Sequence, residues 1–381
     1  MGTVGGWLLA AVLTLAAAEL AAWASLAVVQ ARAPYLLYRV PATPQAAYET
    51  YLGLRRDDLG WAGRGPDLEP SGSRSLPAFP QPGDECASAY GDSFTFGVGL
   101  SPGESWPNQL SIRLGCRVAN WGEPGYGVDQ AVLRFLGNER ERPRIAVLAI
   151  WPEDILRSVN RWQYLIASSG EYSFKPRFVL EEGKLRLIPI PRLDWDGYRA
   201  CSRLPEDCLD HEGFLPDTVD GPARVGFPHL VTALRVLTGS RVRNHLSGRV
   251  SWAGFLEEGH TSGARPLVRA LMARFADEAK ARGAVPLVVV FPTTGSQQMF
   301  EQGKGLATRP LIEDAAALGI AHLDLHEPLA RRLAGRSLCD ILDGRDRCGG
   351  HFTAEGAAMV GDILAPTMAD MLAGSGYPKP P

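Results

Sequence analysis

Cys86-Ala-Ser-Ala-Tyr-Gly-Asp-Ser-Phe-Thr-Phe-Gly-Val-Gly99 is a short apolar run that stops on Gly91, Asp92 and Ser93 and then returns to small residues. Glycine frees the backbone, while aspartate and serine prefer caps and tight turns to sheet interiors. The pattern predicts a strand that delivers Ser93 to a turn at its C-terminal end. In an open α/β sheet that edge binds ligands, beside helix N-termini whose free N–H groups favour developing negative charge. The triplet alone fits an ordinary helix opened by a serine cap equally well, so its meaning depends on the rest of the chain.

Beyond an amphipathic segment, Pro107 to Leu114, lies Val118-Ala-Asn-Trp-Gly-Glu-Pro-Gly-Tyr-Gly127, a second strand end followed by a glycine-rich loop. Near the C-terminus Gly350-His-Phe-Thr-Ala-Glu-Gly356 leads a histidine into a helix. In this order, Gly-Asp-Ser, Asn-x-Gly-x-x-Gly and a late histidine resemble the SGNH, or GDSL, hydrolase superfamily over residues 84 to 157 and 284 to 370. The resemblance implies a three-layer α/β/α sandwich around a central parallel sheet. It also implies Ser93 as nucleophile, His351 as its base, and the Ser93 and Gly122 N–H groups as oxyanion donors.

Serine needs such a base, because its hydroxyl is a poor nucleophile until the proton is taken, and a histidine of near-neutral pKa is the usual acceptor. Two positions depart from the family pattern. Cys348 stands three residues before the histidine, where the family carries an aspartate, which leaves Asp346 as first candidate to orient His351 and Asp343 as second. A backbone carbonyl is the third option, making the site a dyad. Glu153, in Trp151-Pro-Glu-Asp-Ile155, stands where relatives have an oxyanion asparagine, and an ionised carboxylate there would repel the charge. Either Glu153 points away or another donor such as Asn160 substitutes. Asn120 and Arg157 are candidate substrate contacts, with capping and salt-bridge roles as the plainer readings. The remaining histidines have no motif context, although His322 and His326 flank the last expected strand.

The fold implied is also readable from periodicity. Strands are expected over Glu85 to Tyr90, Arg117 to Asn120, Ile145 to Trp151, Ala284 to Phe291 and Ala321 to Leu325, alternating with helices over Val128 to Leu136, Ala264 to Arg282 and Leu311 to Leu318. That alternation is what a parallel sheet requires. Residues 158–262 interrupt it as an insertion with an expected hairpin around Glu182-Gly-Lys184, a helix over Leu230 to Leu237, and an aromatic group of Trp195, Tyr198 and Phe214 suited to sugar stacking or to packing. Insertions of this size become lids, substrate surfaces or packing subdomains. The sandwich is thus expected in two pieces, residues 84–157 and 263–375.

Residues 6 to 29 form an apolar run with one charge, Glu19, long enough to cross a bilayer. Nothing positive precedes it except the amino terminus, unlike the basic leader of a cleaved signal, although Ala22-Trp-Ala24 offers a cleavage site. A retained anchor over residues 1–31 is the favoured reading, followed by a proline-punctuated tether over residues 32–83 that wraps onto the domain. Arg32 and Arg39 would hold that flank in the cytoplasm. The six cysteines argue the other way, since Cys201 with Cys208, Cys339 with Cys348, and Cys86 with Cys116 suit disulfides in an oxidising compartment. The bulk of the chain is therefore expected outside the cytoplasmic membrane.

A net charge of −3 and a pI of about 6.2 give no case for nucleic acid. No nucleotide motif or metal-ligand spacing is present, and no cofactor is expected. A serine–histidine site transfers acyl groups. Membrane-tethered relatives act on acetyl groups of cell-surface polysaccharides, so the resemblance points to carbohydrate O-acyl esters. The same site run toward a sugar hydroxyl would make a polysaccharide O-acetyltransferase, with polysaccharide-biosynthesis membrane proteins as partners. A domain of impaired chemistry that binds polysaccharide or acts as a scaffold is the reading from another class, motivated by Cys348 and Glu153. A lipase is a lesser alternative.

Overall fold

The computed structural model of the chain describes residues 2–63, 65–81, 83, 85–344 and 348–374. Five strands build the central sheet: β1 (Ala87–Gly91), β2 (Val118–Gly122), β3 (Ile145–Ile150), β4 (Val285–Val290) and β5 (Ala321–Asp324). Six helices matter beside them: α1 (Gly2–Arg32), α2 (Trp106–Leu114), α3 (Val128–Gly137), α4 (His229–Thr238), α5 (Ala264–Ala281) and α6 (Ala354–Gly374). The chain divides into two compact units. One contains residues 1–55, 159–175 and 190–251, and the other residues 56–158, 176–189 and 252–381.

In the second unit all five strands run parallel in the order β2-β1-β3-β4-β5. This is the doubly wound order whose ligand crevice opens where the winding reverses, at the carboxyl ends of the strands around β1 and β3. Every residue of β1, β2 and β3 is buried, as expected of strands covered on both faces and rich in Ala, Val, Leu and Ile. Alternate residues divide between the two faces. Ala87, Ala89, Val118, Ile145, Val147, Ala149, Leu287 and Val289 share one core with Trp106, Leu110 and Leu114 of α2 and Val360, Leu364 and Met368 of α6. Helices α3 and α5 cover the other face, joined by Phe135 against Phe275 with ring centroids 4.6 Å apart. The expected three-layer sandwich with a parallel centre is the observed architecture.

The segment before β1 closes the β2 edge of the sheet. Arg74 N–H donates to the Asn120 carbonyl at 2.8 Å, an antiparallel bridge that occupies an otherwise open strand edge. The Arg74 guanidinium, 1% exposed, donates to the carbonyls of Phe96 and Gly97. It therefore also fixes the turn that follows Ser93. Cys86 and Cys116 are disulfide-bonded with Cα atoms 6.0 Å apart, joining the starts of β1 and β2.

The first unit gathers the N-terminal residues and most of the insertion around aromatic side chains. Tyr48, on a helix (Gln45–Leu54) inside the stretch expected as a tether, stacks on Tyr198 with centroids 4.3 Å apart. Trp195 stacks on Tyr198, and Trp162 on Phe174 at 5.1 Å. Tyr198 and Phe214 are each 1% exposed, so of the two readings of this aromatic group, sugar stacking or packing, these two take packing, while Trp195 is half-buried. The Cys201–Cys208 disulfide lies in this unit. The hairpin at Glu182-Gly-Lys184 forms as expected, Arg177–Glu181 pairing with Lys184–Ile188, and it belongs to the second unit.

Candidate active site

β1 ends on Gly91, and Asp92 takes the helix N-cap, its Oδ1 accepting from the Phe94 N–H at 2.9 Å. The cap turns the chain sharply, so Ser93 opens a single helical turn (Ser93–Phe96) at the carboxyl edge of the sheet. Close approach makes this possible. A Cβ on Gly122, at the end of β2, would lie 2.2 Å from Phe96 N and 2.6 Å from Thr95 C, so only glycine lets the turn settle against the neighbouring strand. Ser93 is 6% exposed.

His351 arrives from the opposite end of the sequence, and its Nε2 lies 2.8 Å from Ser93 Oγ. That is the distance at which an imidazole takes a serine proton. The ring is held by packing: Phe94 lies 5.0 Å from it, centroid to centroid, stacks on Trp151 and meets Phe352 edge-on at 5.2 Å. Behind it, two hydrogen bonds join Asp343 to the backbone of His351. Asp343 Oδ1 accepts from His351 N–H at 2.8 Å, and Asp343 N–H donates to the His351 carbonyl at 2.9 Å. The Cys339–Cys348 disulfide closes the loop that carries Asp343.

Asp346 and Asp343 are the two carboxylates expected to orient His351. Asp346, the first candidate, lies outside the described residues. Asp343, the second, grips the backbone of His351, and among the described residues no side chain hydrogen-bonds to Nδ1. Burial holds the His351 pKa below the ordinary 6.5, with Arg157 acting in the same direction and Asp92 and Asp343 opposing it. The base is therefore neutral, and able to accept a proton, at physiological pH.

The Ser93–His351 contact is the pairing that the sequence resemblance to the SGNH, or GDSL, superfamily implies. Among solved structures the chain is similar to a protein of Desulfitobacterium hafniense DCB-2 described as a lipolytic protein of the G-D-S-L family, with 14% identity over 74% of this chain and 97% of that one and a TM-score of 0.36. It is similar also to TesA, with 13% identity over 75% of this chain and 99% of that one and a TM-score of 0.36. No protein-family model and no curated protein matches the chain.

Several expected donors are engaged elsewhere. The Gly122 N–H donates to Asn120 Oδ1 at 3.0 Å, so it is not a free oxyanion donor. Asn120 is fully buried and its Nδ2 donates to the Phe96 carbonyl at 3.2 Å, which makes it a brace for the Ser93 turn and not a substrate contact. Glu153 is exposed at the surface, away from an oxyanion role, and the buried carboxylate of this motif is Asp154. Asn160 donates to the Trp162 carbonyl and to Glu212 in the other unit's core and supplies nothing here. Arg157 takes its plainer role: Nη1 donates to Asp92 Oδ2 at 3.2 Å, to Asp154 Oδ1 at 2.7 Å and to the Tyr126 carbonyl at 3.2 Å. Burial and the nearby Asp92 push the Asp154 carboxyl well above its usual range.

A backbone N–H that motif reading overlooks is that of Gly125. Tyr126 N–H donates to the Glu123 carbonyl at 3.2 Å, closing a turn with Pro124 first and Gly125 second at φ 82°. This is a type II turn, which needs positive φ at its second central residue and so selects glycine. The Pro124 carbonyl accepts from Trp61 Nε1 at 2.9 Å, and in a trans peptide the Gly125 N–H points the other way. Among the described residues that N–H has no hydrogen-bond acceptor, and neither does the Ser93 N–H. Arg157 ties this turn to Asp92, the residue before the serine. The Pro-Gly dipeptide was the available signal.

A second Ser–His–Asp chain lies elsewhere in the unit. His326 Nε2 is 2.8 Å from Ser296 Oγ and its Nδ1 is 2.6 Å from Asp324 Oδ1. Ser296 and His326 are both 0% exposed, and the Ser296 hydroxyl is occupied in a capping box with Thr293. Hydrogen-bond order alone does not make an active site: Ser296 is wholly enclosed, whereas Ser93 keeps 6% of its surface exposed. Among the described residues no group of three His, Cys, Asp or Glu side chains is placed to hold a metal ion.

Proposed function

We propose that the chain is a membrane-anchored serine esterase of SGNH type that cleaves O-acyl esters, acetyl above all, on a carbohydrate outside the cytoplasmic membrane. The observation that carries this is the 2.8 Å contact between Ser93 Oγ and His351 Nε2 at the carboxyl edge of the sheet. Ser93 Oγ attacks the ester carbonyl while Nε2 takes its proton. The imidazolium returns that proton to the departing sugar oxygen, leaving an acyl-serine. Water, deprotonated by the same nitrogen, then releases the acid. The Ser93 and Gly125 N–H groups meet the oxyanion, each such donor contributing roughly 3 kcal/mol.

A short acyl group is favoured by the side chains beside the serine. Phe94, Trp151, Phe291 and Phe352 are 1–7% exposed and packed against one another, which leaves little apolar surface for a long chain and argues against a lipase. Three disulfides support an oxidising location. Retention of the anchor is supported by Ala22, which belongs to the Ala22-Trp-Ala24 cleavage site and is itself buried. Cleavage there would also remove Glu19 from its contact with His229.

The same acyl-serine discharged to a sugar hydroxyl gives O-acetyl transfer. Purified enzyme incubated with 4-nitrophenyl acetate, with and without an oligosaccharide acceptor, separates the two: free acetate alone supports the esterase, and acetylated oligosaccharide supports the transferase. Turnover no faster than that of Ser93→Ala under either condition contradicts both and leaves a binding or scaffold domain.

A further inference from the structure

Helix α1 is long and apolar enough to cross a membrane, yet it carries Glu19 in its interior. That carboxylate is fully engaged. It accepts from the His229 N–H, meets His229 Nδ1 at 2.8 Å and accepts from the Leu230 N–H at 3.1 Å. Glu19 therefore caps α4. From that point α4 runs alongside α1 in the same direction, with His229 beside Glu19 and Val236 beside Leu26 in a small shared core. Val29 and Ala233 pack against that core.

The side of α4 turned away from α1 is apolar and uncovered. Leu234 is 62% and Leu237 61% exposed, with Leu230 and Val231 on the same stripe and Phe227, just ahead of the helix, at 82%. Positions 230, 234 and 237 recur at helical spacing, so this is one continuous face. It adjoins the equally exposed apolar surface of α1, including Leu20, Trp23 and Val28. From Gly221 to Leu256 there is no aspartate or glutamate, while Arg224, Arg235, Arg241, Arg243 and Arg249 all fall in that span.

We propose that α4, with Phe227 at its tip, lies in the lipid bilayer beside α1, so that two apolar elements hold this unit in the membrane. The inference rests on reading α1 as a retained anchor. Three features select lipid as the occupant. The exposed stripe is continuous with the span itself. The first N–H groups of α4, which hydrocarbon would leave unsatisfied, are capped by Glu19, as a helix start at membrane depth requires. Arg224 and Arg235 are paired with Glu206 and Asp217, which leaves Arg243, in a span with no acids of its own, to suit anionic headgroups. At 10 residues, α4 is about 15 Å long, the thickness of one leaflet's hydrocarbon.

The test places single nitroxide labels in the full chain, reconstituted into phosphatidylcholine and phosphatidylglycerol nanodiscs, through Leu234→Cys, Leu237→Cys, Leu13→Cys on α1 and Lys280→Cys on α5. The native cysteines are paired, so each new thiol is unique. Collision with oxygen, which partitions into lipid, is compared with collision with a water-soluble nickel chelate. The inference predicts that Leu234 and Leu237 behave like Leu13, with high oxygen and low nickel accessibility. Labels at 234 and 237 that match Lys280 while Leu13 remains lipid-like overturn it and spare the anchor. Low accessibility to both reagents, the signature of a protein partner or a second copy, overturns it equally. A water-like signal at Leu13 overturns the anchor reading and this inference together.

Discussion

Asp343 and His351 hold each other by two hydrogen bonds: the Asp343 carboxylate accepts from the His351 N–H at 2.8 Å, and the His351 carbonyl accepts from the Asp343 N–H at 2.9 Å. The carboxylate thus sets where the histidine sits and adds negative charge beside it without bonding its ring. Two effects of its removal should separate. Asp343→Asn keeps an acceptor for the N–H but deletes the charge that raises the His351 pKa, so the acid limb of kcat/KM should move to lower pH with a modest loss of rate. Asp343→Ala loses the acceptor too and should cost about tenfold or more in kcat, the consequence of roughly 1.4 kcal/mol of lost positioning. A pH–rate profile of the three proteins checks both.

Arg157 acts on the same histidine with the opposite sign. Its charge lowers the His351 pKa, so in Arg157→Met the acid limb should move up in pH. The substitution also strands Asp92 and Asp154, whose side chains are 2% and 3% exposed. Breaking a buried pair costs about 3 kcal/mol. With its cation gone the Asp154 carboxyl, already raised by burial, favours the protonated form still more, so the loss of stability should grow as pH rises. Thermal melts at pH 5 and pH 8, beside the rate profile, measure the two effects.

Glu141 is a carboxyl against the sheet that accepts from Tyr90 Oη at 3.0 Å and from Asn138 Nδ2 at 2.7 Å. Burial, with the nearby Glu85, pushes its pKa from 4.5 up to about 7. The folded state therefore holds a proton that the unfolded state releases between those values, and stability from this group falls as pH rises across that window. Glu141→Gln keeps an acceptor and removes the titration. It should be more stable than the parent at pH 8, by on the order of 1–2 kcal/mol relative to the difference at pH 4, in denaturant titrations.

The buried Ser296–His326–Asp324 chain should behave as structure. Ser296→Ala leaves His326 Nε2 without its partner inside the core, at a cost of about 1–3 kcal/mol. Ester turnover per folded molecule should be unchanged. A lower melting temperature with retained kcat agrees with this; loss of kcat in a folded variant does not.

Much of this was readable from the chain. The alternation of Val- and Leu-rich runs with amphipathic helices located all five strands within two residues, because strands buried on both faces leave an apolar signature in the sequence itself. Ser93 was readable because Gly91 and Asp92 can do little else but cap and turn. The contact with His351 depends on a topology that brings residues 258 positions apart to one sheet edge, and only the motif order hinted at it. Gly122 misled because a glycine at a strand end fits two needs, a free N–H and a close approach, and here Thr95 and Phe96 set the second. Asn120 misled for a related reason, since a polar side chain beside a site braces it as readily as it binds substrate. The aromatic residues of the insertion gave no sign of direction: Tyr198 is buried by Tyr48, from a helix within a proline-rich stretch that reads as tether. The Glu19 cap on α4 joins residues 210 apart and leaves no local mark in either segment.

The central claim, that Ser93 is a nucleophile activated by His351, is tested most directly by intact-mass measurement after exposure to a fluorophosphonate, which phosphonylates only an activated serine. One adduct per chain, mapped by peptide sequencing to Ser93, absent in Ser93→Ala and formed far more slowly in His351→Ala, is the predicted result. No adduct on the folded wild-type chain, or an adduct that persists in Ser93→Ala, would contradict it.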